Sequence, residues 1–267
     1  MHPVLFHIGS FPVGTYGVIL AIAFFAGVGL ARRQGRMDGL TPEAISDLCI
    51  TLLIAAVIGS KLLMIIVDLS NGAYGWRGVF TMATLRAGGA IHGGVIAGAI
   101  IFFWYTWKGR RLPMRTTGDA LVPGVALGQA IGRIGCFSAG CCYGTETHLS
   151  WAATFTDPNA ALLSGTPLGI PLHPVQLYTM AGNLIVMALL LMARKRRGFE
   201  GQILALYFIF EGVQRAITET WRGDLDRGTG IFHISWLSTG RLTAIGFAAL
   251  GVILLAMWRK RSETAAA

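Results

Sequence analysis

The sequence predicts an all-α polytopic membrane protein of about seven transmembrane helices, and three observations carry that reading. Of its 267 residues, 54% are hydrophobic and 13% charged, about half the charged share of a soluble domain, and the mean hydropathy is +0.60. The apolar residues gather in runs at about 12–31, 45–67, 88–107, 118–139, 174–193, 202–221 and 236–258. Each run has about 20 residues, enough to cross a hydrocarbon core of about 30 Å. Most of the 22 basic residues stand in four short clusters just after such runs, where cytoplasmic loops carry their Lys and Arg. The 36 glycines follow no Gly-X-Y period, so collagen is excluded. The apolar content excludes disorder and a single water-soluble globule of this size.

Taken in order, the first run leads to Arg32, Arg33 and Arg36, and the third to Lys108, Arg110, Arg111 and Arg115. The fifth leads to Arg194–Arg197 and the last to Arg259–Arg261. With these clusters inside, seven spans fit without conflict, the N-terminus outside and the C-terminus inside. The start Met1–Ser10 has no basic n-region, so no cleavable signal peptide is expected. The chain then reads as a single transmembrane helical domain over 1–267 with outward-facing segments at about 68–87 and 140–173. The second of these carries turn signals at Asp157-Pro158 and Gly165-Thr166-Pro167 and reads as a small periplasmic cap. Gly124, Gly128 and Gly132 in the fourth span, and Gly94 and Gly98 in the third, predict close helix packing through small residues. The net charge of +9 sits at membrane boundaries and is not interleaved with aromatics on one surface, so no nucleic-acid partner is expected.

Ionisable groups inside spans are costly and usually mark function. His92 lies about five residues into the third span, roughly 6–8 Å below the outer face at about 1.5 Å per residue. In this topology Arg133, Lys61 and Tyr16 occupy the outer halves of the fourth, second and first spans. Glu211, Arg215, Glu219 and Arg222 are spaced 4, 4 and 3 residues apart in the sixth and share one stripe. Five helices thus bring polar groups to the outer leaflet, which predicts a polar cavity there with a cationic excess. Guanidinium groups bind phosphate or carboxylate in a bidentate fork, and a phospholipid headgroup is the anion available at that depth. The plainer alternative is that Glu211, Arg215 and Glu219 pair along their own helix.

Cys136, Cys141 and Cys142 crowd the outward end of the fourth span, with His148 close behind, and Cys49 stands apart. Packing of free thiols, a disulfide in an oxidising compartment and a zinc site without the usual C-x2-C spacing are all open. Neither a G-x-S-x-G elbow nor a G-x-x-x-x-G-K-[ST] loop is present, which argues against an intramembrane serine protease and nucleotide hydrolysis.

Five motifs in order resemble the prolipoprotein diacylglyceryl transferase family. They are Tyr16-Gly17, the H-G-G of Gly89–Gly94, Gly132-Arg133-Ile134-Gly135-Cys136-Phe137 ending at Tyr143-Gly144, His173-Pro174-Val175-Gln176-Leu177-Tyr178, and Arg215-x3-Glu219-x2-Arg222. The resemblance implies transfer of an sn-1,2-diacylglyceryl group from phosphatidylglycerol to the lipobox cysteine of a prolipoprotein, in the bacterial inner (cytoplasmic) membrane. A thioether forms and glycerol 1-phosphate leaves. It implies catalytic roles for His92, Arg133, Arg215 and Glu219, with His92 as the base. Tyr16, Lys61, Arg133, Gln176, Tyr178 and Arg222 would face the phospholipid. No cofactor and no metal is expected. The chain departs from the family pattern at Cys136 and Cys141, where Asn and Glu are usual. It departs again at Thr179, where Glu commonly follows the H-P-x-Q-L-Y motif, and at Glu211, where Tyr precedes the sixth-span Arg. Two competing readings are a related lipid transferase with another donor or acceptor, and a non-enzymatic thiol- or metal-sensing membrane protein.

Overall fold

The computed structural model describes residues 4–9, 11–72, 78–79, 81, 84, 89–109, 112–224 and 237–266. Most of the expected outward segment 68–87 lies outside the described residues. The chain divides into two compact units, one of residues 1–34 and 118–267 and one of residues 35–117, and each is described by itself.

In chain order the α-helices are α1 (Thr15–Met37), α2 (Pro42–Ser70), α3 (Ile91–Trp104), α4 (Met114–Ala139), α5 (Pro158–Ser164), α6 (Val175–Arg194), α7 (Gln202–Glu219) and α8 (Thr239–Ala266). A π-turn, Tyr105–Gly109, extends α3. The strand β1 (Val4–Ile8) pairs antiparallel with β2 (Phe11–Gly14), so the first helix begins three residues later than the expected 12. Pro12 offers no N–H for a ladder or a helix interior and Gly14 is a poor helix former, which places the boundary after them. A second short pair, β3 (Ala153–Thr154) with β4 (Pro171–Leu172), lies in the segment expected to form a cap.

Five helices are long and apolar enough to cross a membrane: α1, α2, α4, α6 and Thr239–Thr264 of α8. Large apolar side chains such as Phe25, Ile54, Ile66, Ile100 and Ile253 stand exposed along these helices and α3, as expected where lipid is the solvent. The protein is a polytopic membrane protein. The other two expected spans are shorter or more polar. The 14 residues of α3 rise about 21 Å at 1.5 Å each, and the 18 of α7 include Glu211, Arg215 and Glu219.

In the second unit α2 crosses α3 through glycine. A Cβ on Gly59 would strike Ala97 and the Gly93 carbonyl, and one on Gly93 would strike Gly59 and Leu63. Gly94 sits against the Ala56 carbonyl, where a Cβ would lie 3.0 Å away, whereas Gly98 faces open space. In the first unit Gly124 meets the Gly27 backbone and Gly128 the Ala23 carbonyl, while Gly132 again meets nothing within 4 Å. The small-residue reading therefore holds at Gly94, Gly124 and Gly128, whereas a Cβ at Gly98 or Gly132 would meet nothing within 4 Å among the described residues. The tightest crossing of the second unit uses Gly93, which the every-fourth pattern did not include.

The first unit has its apolar core in Val122 and Ala126 of α4, Val186 and Leu190 of α6, Ile203–Ala205 and Tyr207 of α7, and Trp258 of α8. One polar residue ties these helices together. Asp119, fully buried on α4, accepts hydrogen bonds from the amides of Gly201 (2.8 Å, Oδ2) and Leu204 (2.8 Å, Oδ1). It thereby caps the N-terminus of α7 from another helix, satisfying donors that a helix start leaves orphaned. Arg197 adds an ion pair at 3.3 Å. Pro123 inside α4 has no N–H to give the carbonyl four residues earlier. That carbonyl, of Asp119, instead accepts from Arg194 Nη1 at 3.2 Å, while Nη2 reaches the Gln34 carbonyl of α1 at 2.9 Å. Arg194 and Arg197, expected only as part of a charge cluster, are thus structural partners. Asp119→Ala should leave two buried amides unpaired, each costing about 1–3 kcal/mol. The expected loss is about 2–5 kcal/mol of unfolding free energy in detergent, read by denaturant titration of helicity, with Asp119→Asn losing less.

Candidate functional site

The far end of α4 from Asp119 carries Arg133 and then stops abruptly. Gly140 takes φ +83, the left-handed conformation in which helices commonly terminate, and its amide reaches back to the Phe137 carbonyl at 3.3 Å. Cys142 follows with φ +61 and is the positive-φ non-glycine among the described residues, a conformation costing about 1–3 kcal/mol outside glycine. The two left-handed residues fold the chain back on the end of α4. Cys136, Cys141 and Cys142 are thereby gathered, their sulfurs all within 4.8 Å of one another, and the Cys141 thiol points to the Cys136 carbonyl at 3.7 Å. His148 is exposed and stays outside that group.

This turn is held from several sides. Buried Gln176, at the start of α6, donates Nε2 to the Cys141 carbonyl at 2.9 Å, and its Oε1 has no hydrogen-bond partner. Thr166 donates to the Gly140 carbonyl at 3.0 Å. Residues 143–145 are clasped between two other segments. Gly144 N–H donates to the His173 carbonyl (3.1 Å), Thr145 N–H to that of Trp221 (2.9 Å), and Gly223 N–H to that of Tyr143 (3.1 Å).

Around the thiols the first unit brings together several of the sequence-predicted residues. Arg133 is a common electrostatic neighbour of Tyr16, Cys136, Cys142 and Glu211. The Tyr16 ring packs on Gly135, where a Cβ would stand 3.1 Å from it. Arg222 is an electrostatic neighbour of Cys142 and grips Asp224 in a bidentate pair at 3.0 and 2.7 Å. Arg215 and Glu219 pair one turn apart at 3.7 Å, as the plainer reading of that stripe anticipated. Glu219 also accepts from Ser238 at 3.0 Å and is crowded by Gly240, where a Cβ would strike its carboxylate. Glu211 is buried, with Oε2 lacking a hydrogen-bond partner. Tyr178 belongs to an aromatic group: its hydroxyl receives Trp151 Nε1 at 2.8 Å and lies 3.3 Å from His173 Nδ1, and its ring stands 5.7 Å from that of Trp221.

His92 and Lys61 belong to the second unit. His92 is exposed in the first turn of α3. Lys61 on α2 donates to the Thr84 carbonyl at 3.0 Å. Within the first unit, cations on α4, on α7 and just after it stand beside partly buried thiols, Arg215 paired with Glu219 and Arg222 with Asp224.

A family model described as Prolipoprotein diacylglyceryl transferase matches residues 3–257. A phosphatidylglycerol–prolipoprotein diacylglyceryl transferase of Clostridium tetani (strain Massachusetts / E88) is 34% identical over 98% of this chain and 100% of its own length. A protein of the same name from Finegoldia magna is 30% identical over 98% of this chain and 97% of its own. A Clostridium perfringens protein carrying that name with the number 2 is 28% identical over 96% of this chain and 94% of its own.

Sequence reasoning missed Asp224, Ser238, Trp151, and the glycines Gly144 and Gly223. An acid two residues after Arg222 was the only local signal for the Arg222–Asp224 pair. The glycines had no signal, because what crowds them comes from distant segments. A Cβ on Gly144 would lie 2.6 Å from the His173 side chain and 2.7 Å from that of Val175, and one on Gly223 would strike the Gly144 carbonyl. Gly223→Val should therefore open the clasp, at about 1–3 kcal/mol for forced overpacking. The expected readout is faster maleimide labelling of Cys141 and Cys142 than in the unaltered chain.

Proposed function

The chain belongs to the prolipoprotein diacylglyceryl transferase family, and we propose on that premise that it transfers a diacylglyceryl group from phosphatidylglycerol to the lipobox cysteine of a prolipoprotein. The observation that carries this reading is the match along nearly the whole chain, with Arg133 inside the motif that ends at the thiol turn. The product is a thioether, and glycerol 1-phosphate departs. The partners are the phospholipid and a lipobox peptide, and the proposed setting is the bacterial inner membrane. We read the chain as a single domain of seven spans with the N-terminus outside, α3 and α7 completing the five longer apolar helices.

Each proposed role follows from charge and chemistry. Sulfur attacks the glyceryl carbon, and the leaving phosphate gains negative charge as the C–O bond breaks. Arg133 and Arg215 are proposed to bind that phosphate, since preorganised guanidinium groups stabilise charge as it develops in a low-dielectric site. Glu219 holds Arg215 in place through their ion pair. Arg222, already bound to Asp224, contributes a positioned cation at the edge of the site. A thiol of ordinary pKa near 8.5 is only a few per cent ionised at neutral pH, and His92 is proposed as the base that takes its proton. Tyr16, Lys61, Gln176 and Tyr178 are proposed to line the path of lipid or peptide.

Purified protein in detergent, mixed with phosphatidylglycerol and a lipobox peptide, should give a peptide heavier by one diacylglyceryl group together with released glycerol phosphate. Failure beside a working relative, with product appearing from another phospholipid, would replace phosphatidylglycerol as the donor. Arg133→Ala should reduce transfer by about 10²–10³-fold, the usual cost of losing one donor to developing charge, with protein level unchanged. Retained activity would remove Arg133 from the mechanism.

A further inference from the structure

We infer that Cys136, Cys141 and Cys142 form a three-thiolate site for a zinc ion, and that its open fourth position takes the acceptor thiol. The second half rests on the proposed transferase activity; the first does not.

Three features of the turn point to a metal. Zinc binds thiolate sulfur at about 2.3 Å in tetrahedral geometry, which sets the sulfurs about 3.8 Å apart. The three sulfurs already lie within 4.8 Å of one another, so each needs to move by about 1 Å or less. The convergence is built into the backbone, not left to flexible side chains. Gly140 and Cys142 both adopt positive φ, and Gln176 and Thr166 fasten the turn through the carbonyls of Cys141 and Gly140. A non-glycine residue held left-handed is a strained feature of the kind that clusters at functional sites.

The surroundings suit thiolates and leave room for a fourth ligand. A zinc trithiolate carries one net negative charge, and the Arg133 and Arg222 cations both act on Cys142. Arg222 is itself held by Asp224, and outer charges of this kind tune a metal site. No other His, Cys, Asp or Glu joins the group among the described residues. Catalytic zinc sites have three protein ligands and an open position, whereas structural sites are closed by four.

An open zinc–thiolate position serves S-alkylation. A thiol that coordinates zinc is deprotonated outright yet keeps a lone pair to attack carbon. The acceptor sulfur would form the C–S bond to the glyceryl carbon as the C–O bond to phosphate breaks. The bonding pair leaves with glycerol phosphate, and the acceptor's proton ends on that departing phosphate. No oxidant or reductant is needed. The product thioether is neutral and a weak ligand, so it dissociates and the position reopens. On this reading the Cys136 and Cys141 departures from the family pattern replace an Asn and an acid with metal ligands.

The full chain, purified in detergent under reducing conditions with zinc supplied, should hold one zinc by elemental analysis. The metal-free protein titrated with Co2+ should develop the absorption of a tetrahedral cobalt thiolate. That spectrum should shift on addition of a lipobox peptide bearing Cys and stay unmoved with the same peptide bearing Ser. Cys142→Ser should weaken the cobalt spectrum. Because a thiol variant can fail to fold, the deciding titrations use the unaltered chain. Free thiols that bind neither metal, or an internal disulfide found by mass spectrometry, would overturn the site. A cobalt spectrum that ignores the Cys peptide would overturn the acceptor role. Transfer that proceeds unchanged in the chelated, metal-free protein would sink the zinc mechanism and leave the transferase reading standing. Metal and Cys-peptide binding with no transfer from phosphatidylglycerol would count against that activity and in favour of the site.

Discussion

The first unit depends on one buried carboxylate. Asp119 closes the N-terminus of α7 with two 2.8 Å hydrogen bonds from backbone amides. Its own carbonyl, released from the helix ladder by Pro123, receives Arg194 from the end of α6. Through Arg194 the same junction reaches Gln34 on α1, so four helices are tied together by Asp119 and Arg194. In hydrocarbon no water stands ready to satisfy an orphaned backbone group, each of which costs several kcal/mol. A helix start near the membrane must therefore be capped by protein, and here a neighbouring helix supplies the cap.

That junction has consequences at the other end of α4. Asp119 and Arg133 are separated by about 21 Å along the helix axis at 1.5 Å per residue. Anchoring α4 at Asp119, and wedging it on α1 through Gly27, Gly124 and Gly128, sets the height at which Arg133 and the cysteines emerge. On α7 the register set by the Asp119 cap carries through to Glu211, Arg215 and Glu219. Gly201 at its start packs so closely on Trp258 of α8 that any Cβ would strike the ring. Gly212 and Gly251 bring α7 and α8 into backbone contact further along. The polar array of Arg133, Arg215 and Arg222 with Glu211, Glu219 and Asp224 is carried by helices that this close apolar packing holds together.

The zinc inference gives the thiol turn a role the transferase chemistry otherwise lacks. A base makes a thiolate by removing its proton, whereas a metal ion makes one by binding sulfur and holding it in a set direction. The two devices are compatible. Neither changes the role proposed for Arg133 and Arg215 at the phosphate, where negative charge grows during the reaction.

The long apolar runs, the polar groups within them and the membrane class were legible in the sequence, because hydropathy over about 20 residues is a local property. So were Tyr16, Arg133, Arg215 and Glu219 as charged or polar oddities in apolar surroundings, and the Arg215–Glu219 pair followed from helical spacing alone. The start of the first helix was misplaced because Phe11–Gly14 pairs with a strand earlier in the chain. Gly98 and Gly132 kept the spacing of packing glycines, yet among the described residues nothing lies within 4 Å of a Cβ at either. Arg194 and Arg197 read as charges for a membrane face, and only their distance from Asp119 shows them as ligands of a buried carbonyl and carboxylate. Sequence left the cysteine trio open among metal, disulfide and packing, and the two left-handed residues that bring the sulfurs together are visible only in the fold. Sequence by itself determined that this is a polytopic membrane protein, since that depends on transfer free energy summed along local stretches. Tertiary structure alone decided which residues meet, because contact across helices depends on rotation and register, and no local pattern of residues encodes either.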